Sequence, residues 1–141
     1  MNATQSELIR KSYDMVAPRG EELISAFYDR LFADYPGVRD LFPADMKAQK
    51  GHLLAAVGLV VKNADKLGSL VPQLEQMGAR HVAYGAEPAH YPAVRDTMLK
   101  TLGAFAGDAW TDEIHEAWET ALNTVAEAMI RGAEESVKKA A

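Results

Sequence analysis

Apolar residues return every three or four positions along almost the whole chain, which is the period of an α-helix. One such stripe contains Ile24, Phe27, Tyr28 and Leu31. No segment alternates polar and apolar residues over the length of a β-strand. The apolar faces are too broad for a coiled-coil seam, so the helices must pack around a common centre. The pattern therefore predicts an all-α protein.

Capping and breaking residues predict where the first and last helices begin and end. Thr4 followed by Glu7 forms a capping-box pattern, and Pro18 is expected to stop the first helix. Thr111 precedes two acidic residues, which is typical of a helix N-terminus. The polar, alanine-rich end of this last helix is expected to fray from Arg131.

Two of the predicted helices carry a polar residue on an apolar face. A long helix over 46–64 has Gln49 at the start of its inward stripe. A second stripe follows one helical face from Leu67 to His81, so that His81 is its polar end. Gly78 lies one turn before His81, and we interpret it as leaving space there for something flat or bulky.

Length, composition and charge limit the classes of function. The chain has 141 residues, 48% of them hydrophobic, which predicts one domain over 1–141. A net charge of -5 with scattered Lys and Arg argues against nucleic-acid and membrane partners. The absence of cysteine excludes disulfides, thiolate-bound zinc and thiolate nucleophiles. Because neither a leader pattern nor a spanning apolar stretch occurs, we expect a soluble cytoplasmic protein.

The four histidines have different surroundings. His90 lies in a proline-rich connection and His115 on the outer side of the last helix, so both are interpreted as surface residues. His52 is one position off the inward stripe and is placed at a pocket rim. His81 points inward. The alternative interpretation is that His81 is a structural core residue, hydrogen-bonded to a backbone carbonyl.

Tyr28 and Gln49 have structural alternatives as well, because a buried tyrosine can contribute packing alone and a buried amide needs a partner. Their combination with His81 changes the interpretation, since three separate helices then each direct one polar group inward. Phe42 closes a short helical turn nearby. This arrangement suits a mostly apolar cavity around a planar cofactor, with one or two hydrogen-bond donors inside.

Two other chemistries find less support in the sequence. The glycines do not form a nucleotide-binding pattern. Glu87 and His90 match the Glu-x-x-His spacing of a carboxylate-bridged metal site, but they stand in a proline-rich turn without a second copy.

With these residues located, the sequence closely resembles the globin family, and within it the bacterial single-domain globins and the globin domain of flavohaemoglobins. The resemblance covers the stretches 26–43, 49–53, 67–84 and 88–102. It implies a globin fold of about seven to eight helices around a haem pocket. Its joint signal is the ordered set of Tyr28, Phe42, Gln49, Leu53 and His81.

The resemblance implies a non-covalent haem b whose iron is bound by His81 on the proximal side and whose porphyrin packs on Phe42. Tyr28, Gln49 and Leu53 would form the distal side, where the hydroxyl and the amide donate to bound dioxygen. Ligation of the ferric iron by His52 or Tyr28 stays open as an alternative. Further cofactor contacts implied are Met77, Tyr91 and Val94.

Two departures from flavohaemoglobins bear on function. In that family a Tyr and a Glu hydrogen-bond the proximal imidazole and raise its basicity. Tyr91 matches the Tyr, whereas the position of the Glu is Ala133, with Glu134 one residue later. The flavin and nicotinamide reductase module has no counterpart before Ala141, so we expect any reductase to be a separate protein.

The leading hypothesis is reversible binding of dioxygen, carbon monoxide or nitric oxide for storage, delivery or scavenging. The second is a nitric oxide dioxygenase that depends on the separate reductase. The third is a gas sensor or a haem-free interaction domain. In each case we expect a monomer or a homodimer.

Overall fold

The fold is all-α, as predicted. The computed structural model describes residues 1–140 and forms six α-helices there, with no strand in this range. No helix of the described range combines the length and apolar character needed to cross a membrane. The helices are α1 (Ala3–Val16), α2 (Gly20–Asp34), α3 (Lys47–Lys62), α4 (Val71–Ala83), α5 (His90–Ala106) and α6 (Asp112–Ala140).

The expected count of seven to eight helices is too high, because the remaining helical turns are short 3₁₀ segments. The stripe predicted from Leu67 to His81 is divided in the same way. Its first part lies in a 3₁₀ segment, and α4 begins only at Val71, with Pro72 in its first turn. Proline favours the first turn of a helix, where its missing N–H costs nothing. The 3₁₀ segments are Ala17–Arg19, Pro36–Leu41, Ala64–Leu70 and Gly107–Ala109.

The helix ends correct two predictions and confirm one. The capping box at the start of α1 is formed by Asn2 and Gln5, rather than by Thr4 and Glu7. The Thr111 hydroxyl accepts a hydrogen bond from the Ile114 N–H at 3.2 Å, which confirms the predicted start of α6. Fraying from Arg131 is not seen, since α6 continues to Ala140.

The core lies between α1, α2, α5 and α6. Trp118, Phe27 and Leu23 are among its fully buried side chains. The Trp118 indole donates to the Ser12 hydroxyl at 2.9 Å, which joins α6 to α1 inside the core. The indole N–H is thereby satisfied, and the burial of so large a ring leaves no unpaired polar group.

α4 and α6 cross in backbone contact at two glycines. A Cβ at Gly78 would overlap the backbone of Met129, and a Cβ at Gly132 would overlap the backbone of Glu75. Glu75 precedes Gly78 on α4, whereas its neighbour Gly132 follows Met129 on α6. The two helices are therefore antiparallel. The interpretation that Gly78 leaves space for a flat group is therefore wrong, because the backbone of α6 fills that space.

Candidate functional site

A side-chain hydrogen bond joins Tyr28 and Gln49 directly. Tyr28 lies in the middle of α2 and is 3% exposed, while Gln49 lies in the first turn of α3. The Gln49 Nε2 donates to the Tyr28 hydroxyl oxygen at 3.1 Å. Because a tyrosine hydroxyl has a single proton and its oxygen is the acceptor here, that proton remains free to donate to a third group.

Burial keeps the Tyr28 hydroxyl protonated. Desolvation raises its pKa above the ordinary value for tyrosine, and the hydrogen bond from Gln49 lowers the pKa by a smaller amount. The side chain is therefore a neutral donor at physiological pH. The same shift disfavours tyrosinate, which is the form that would bind a ferric iron.

Aromatic rings support the Tyr28 side chain on one side. The Phe42 ring lies 5.6 Å from the Tyr28 ring between centroids, at an interplanar angle of 71°. Phe32 lies 5.7 Å from Tyr28 and 5.4 Å from Phe42. The two contacts of Phe42 are edge-to-face, and this geometry favours a fixed relative orientation of the rings. Phe42 and Leu53 are only partly buried against the core, so both present apolar surface beside the Tyr28 and Gln49 pair.

His81 lies in the last turn of α4 and is half-buried. Its Nδ1 donates to the backbone carbonyl of Met77 at 2.6 Å in the tautomer that carries the proton on Nδ1. The ring also packs against Tyr84, with 5.3 Å between centroids. A donor bond from Nδ1 leaves the lone pair of Nε2 available for a metal, since the second nitrogen of a neutral imidazole is an acceptor.

No carboxylate accompanies His81 or Tyr91 in the described residues. The Tyr91 hydroxyl is buried without a hydrogen-bond partner, and its pKa is raised by burial. Glu134 is exposed, and Ala133 has no group that could replace a carboxylate. The imidazole is thus oriented by a neutral carbonyl alone. The expected departure from the flavohaemoglobin pattern at Ala133 agrees with this geometry.

The remaining candidate residues have distinct surroundings. Met77 is partly buried against the core one turn before His81, whereas Val94 on α5 is 39% exposed. His52 is exposed on α3, and its place at a pocket rim stays a prediction. His90 is half-buried and accepts a hydrogen bond from the Glu87 N–H at 3.0 Å, so the Glu-x-x-His match is a local turn contact.

His115 faces solvent with part of its ring against Trp110, at 6.1 Å between centroids. Its Nε2 lies 3.8 Å from a Glu119 carboxylate oxygen. Within residues 1–140, no three His, Asp or Glu side chains are grouped so as to hold a metal ion.

Sequence reasoning missed Arg39. It gave a backbone carbonyl partner for His81 as the structural alternative, and the structure contains that contact, with Met77 as the acceptor. The acceptor has a signal in the sequence, because the carbonyl of residue i lies beside the side chain of residue i+4 on a helix. Arg39 has none, since its contacts depend on an irregular connection whose path the apolar pattern does not specify.

The donor set fits a haem group. α4 offers the Nε2 lone pair of His81 when Nδ1 donates to the Met77 carbonyl. α2 offers a neutral hydroxyl donor on Tyr28, supported by Gln49 and aromatic rings. Partly buried apolar side chains complete the set, as a porphyrin face requires. These are Phe42, Leu53, Met77 and Tyr91.

Comparisons with known proteins agree with this assignment. The family model named Globin matches residues 25–129. The flavohemoprotein of Bacillus subtilis (strain 168) is 35% identical over 127 residues, which are 88% of this chain and 32% of that protein. The chain spans about a third of the length of the curated relatives it matches.

Solved structures of low sequence identity share the fold. A bacterial globin from Campylobacter jejuni superposes with a TM-score of 0.84 at 24% identity, covering 97% of this chain and 99% of that one. A hexacoordinated heme protein from an anhydrobiotic tardigrade gives 0.81 at 19% identity, covering 95% and 96%.

The chain belongs to the globin family. This membership supports haem as the cofactor and the binding of diatomic gases in general.

Proposed function

We propose that the chain binds haem b non-covalently through His81 and uses it to bind dioxygen or another diatomic gas reversibly, for storage, delivery or scavenging. The bound iron supplies an open coordination position for the gas. The observation that carries the proposal is the Gln49 to Tyr28 hydrogen bond, which leaves the Tyr28 proton free. The cofactor contacts proposed are Phe42, Leu53, Met77, Tyr91 and Val94.

On the distal side, the Tyr28 hydroxyl is an oriented donor among apolar side chains. The Gln49 amide fixes the Tyr28 oxygen, so the hydroxyl proton points away from the amide. A donor in a poorly solvated pocket interacts more strongly with a partly negative ligand than it would in water. This arrangement favours slow release of dioxygen.

On the proximal side, a neutral acceptor favours reversible binding over oxygen activation. The His81 proton is donated to the Met77 carbonyl, which polarises the imidazole less than a carboxylate would. Tyr91 contributes no hydrogen bond to a carboxylate in the described structure. The weaker electron donation that results suits a carrier.

Haem-loaded protein is expected to show a histidine-ligated spectrum that changes reversibly with dioxygen and with carbon monoxide. Visible spectra of the ferric, ferrous and gas-bound forms test this, and cycles of oxygenation under argon test reversibility. A spectrum that changes with neither gas would contradict the proposal.

Nitric oxide dioxygenation with an external reductase is the second candidate. The identity of 35% to a flavohemoprotein favours it. In this reaction nitric oxide, dioxygen and one electron from the reductase give nitrate. Many oxygenated globins react once in this way, so only sustained nitrate formation with a reductase present would favour the enzyme over the carrier.

Removing the Tyr28 hydroxyl is expected to speed dioxygen release more than removing the Gln49 amide. We expect Tyr28→Phe to raise the off-rate by about 10- to 100-fold, the value of one hydrogen bond to a charged group. Gln49→Leu leaves the hydroxyl but frees its orientation, and an increase of about threefold to tenfold is expected. Stopped-flow ligand replacement measures both.

The double variant and carbon monoxide provide the controls for this pair. Since Gln49 acts through Tyr28, the double variant should release dioxygen no faster than Tyr28→Phe alone. Carbon monoxide is nearly apolar, so its release should change little. Additive effects on dioxygen release would show instead that Gln49 donates to the gas independently.

A further inference from the structure

A single guanidinium satisfies three successive carbonyls in the connection between the 3₁₀ segment Pro36–Leu41 and α3. Arg39 Nη1 donates to the Phe42 and Pro43 carbonyls at 3.2 and 3.1 Å, and Nη2 donates to the Ala44 carbonyl at 3.3 Å. Residues 42–46 are not helical, so these carbonyls have no intrahelical partners. The planar fork of Arg39 therefore determines the path of the connection.

The same guanidinium packs on the Phe32 ring, which belongs to the aromatic group around Tyr28. Its Cζ lies 5.0 Å from the centroid of Phe32. Phe32 in turn contacts Tyr28 and Phe42. Arg39 thus touches the backbone that carries Phe42 and the ring that supports Tyr28.

The Arg39 charge is matched by dipoles and a ring rather than by a carboxylate. The ion pairs found within residues 1–140 do not include Arg39. The half-buried Arg39 side chain therefore contributes hydrogen bonds and ring packing rather than an ion pair. A lysine would keep the charge but lose the fork, since its compact ammonium cannot reach three carbonyls and stack on a ring in one geometry.

We propose that Arg39 is a positioning residue of the distal side. It fixes Phe42 and Tyr28 relative to each other and thereby sets how tightly the cofactor is held and where the Tyr28 hydroxyl points. The effect on cofactor and gas binding rests on the proposed function, whereas the positioning itself rests on the hydrogen bonds from Arg39 to the three carbonyls. Arg39 acts through these neighbours and not by touching cofactor or gas.

The test compares Arg39→Met and Arg39→Lys with the control Arg10→Met. Arg10 is a suitable control because its Nη2 also donates to a backbone carbonyl, that of Lys62 at 3.3 Å, but joins α1 to the end of α3. Three measurements are made: hydrogen exchange of the hydrogen-bonded Phe42 and Lys47 amides in the haem-free protein, the rate of haem loss, and the carbon monoxide stretching band of the loaded protein.

Arg39→Met is expected to speed exchange of the Phe42 and Lys47 amides and haem loss by about tenfold each. The three freed carbonyls can bind water, so the net effect is about that of one charge-assisted hydrogen bond. Its carbon monoxide band should broaden or split, since Tyr28 would take several orientations. Arg39→Lys should fall between Arg39→Met and wild type, and Arg10→Met should match wild type in all three measurements.

Equal behaviour of Arg39→Met and Arg10→Met in exchange and in the carbon monoxide band would overturn the proposal. A wild type that fails to bind haem would contradict the proposed function instead. The exchange measurement on the haem-free chain would still decide whether Arg39 holds the connection.

Discussion

Replacing His81 with glycine is expected to increase the rate of haem loss by more than about a hundredfold. Partners that merely orient a metal-binding histidine are worth about 10- to 100-fold in affinity, so loss of the ligand itself should exceed that. The Met77 carbonyl would lose its hydrogen-bond partner as well. Transfer of haem to an acceptor protein in excess, followed in the visible spectrum, measures the rate.

Imidazole added to the buffer makes this prediction specific to ligation. His81→Gly removes the side chain and leaves a space of imidazole size beside the Met77 carbonyl, so free imidazole should restore the histidine-type spectrum. His52→Gly is the matched control, since His52 is exposed on α3 and its loss should leave the spectrum unchanged. Retention of haem with an unaltered spectrum in His81→Gly would place the iron bond elsewhere.

The helical period accounts for how well the sequence located the candidate side chains. Burial of one face requires apolar residues at intervals of three and four, so the amino-acid pattern alone assigns Tyr28 and Gln49 to inward faces. Their direct hydrogen bond shows that the two side chains are in contact, whereas their role toward a ligand stays a prediction. Iron ligation by His81 and the cofactor contacts stay predictions.

Periodicity could not fix the helix boundaries. Leu67 and Leu70 lie three residues apart, and this spacing puts two side chains on one side of a 3₁₀ helix as readily as of an α-helix. Both are buried, yet they belong to a 3₁₀ segment before α4. In the same way, Asn2 and Thr4 are both of a residue type that caps helices, and their two-residue separation lies within the uncertainty of a helix boundary.

Contacts between distant residues explain the larger errors. The interpretation of Gly78 considers only its own helix, whereas its role depends on the backbone of Met129, which lies on another helix. Arg39 lies near its carbonyl acceptors in sequence, but the positioning role proposed for it also depends on its contact with the Phe32 ring on α2. A one-dimensional pattern indicates which face is buried and not what covers it.

The crossing of α4 and α6 links overall stability to the position of His81. Gly78 lies one turn before His81 on α4, and its contact with the Met129 backbone sets how close the two helices approach. Because the obstacle is backbone rather than a flexible side chain, relief requires moving a whole helix. Any such movement carries His81 with it.

The added methyl group of Gly78→Ala is therefore expected to cost about 3 kcal/mol, at the upper end for a packed interior. Alanine offsets roughly 1 kcal/mol of this through its preference for a helix interior, so the haem-free protein should be destabilised by about 2 kcal/mol. Urea denaturation followed by circular dichroism measures the free energy of unfolding. Haem loss from the loaded variant should also accelerate, because His81 shifts with α4.

Gly58→Ala on α3 separates the steric effect from the helix preference. A Cβ at Gly58 meets no atom within 4 Å, so this variant should gain up to about 1 kcal/mol. Gly132→Ala, which would overlap the Glu75 backbone, should behave like Gly78→Ala. If all three variants were stabilised alike, α4 and α6 would have to stand further apart than the structure places them, and the link between their contact and His81 would be lost.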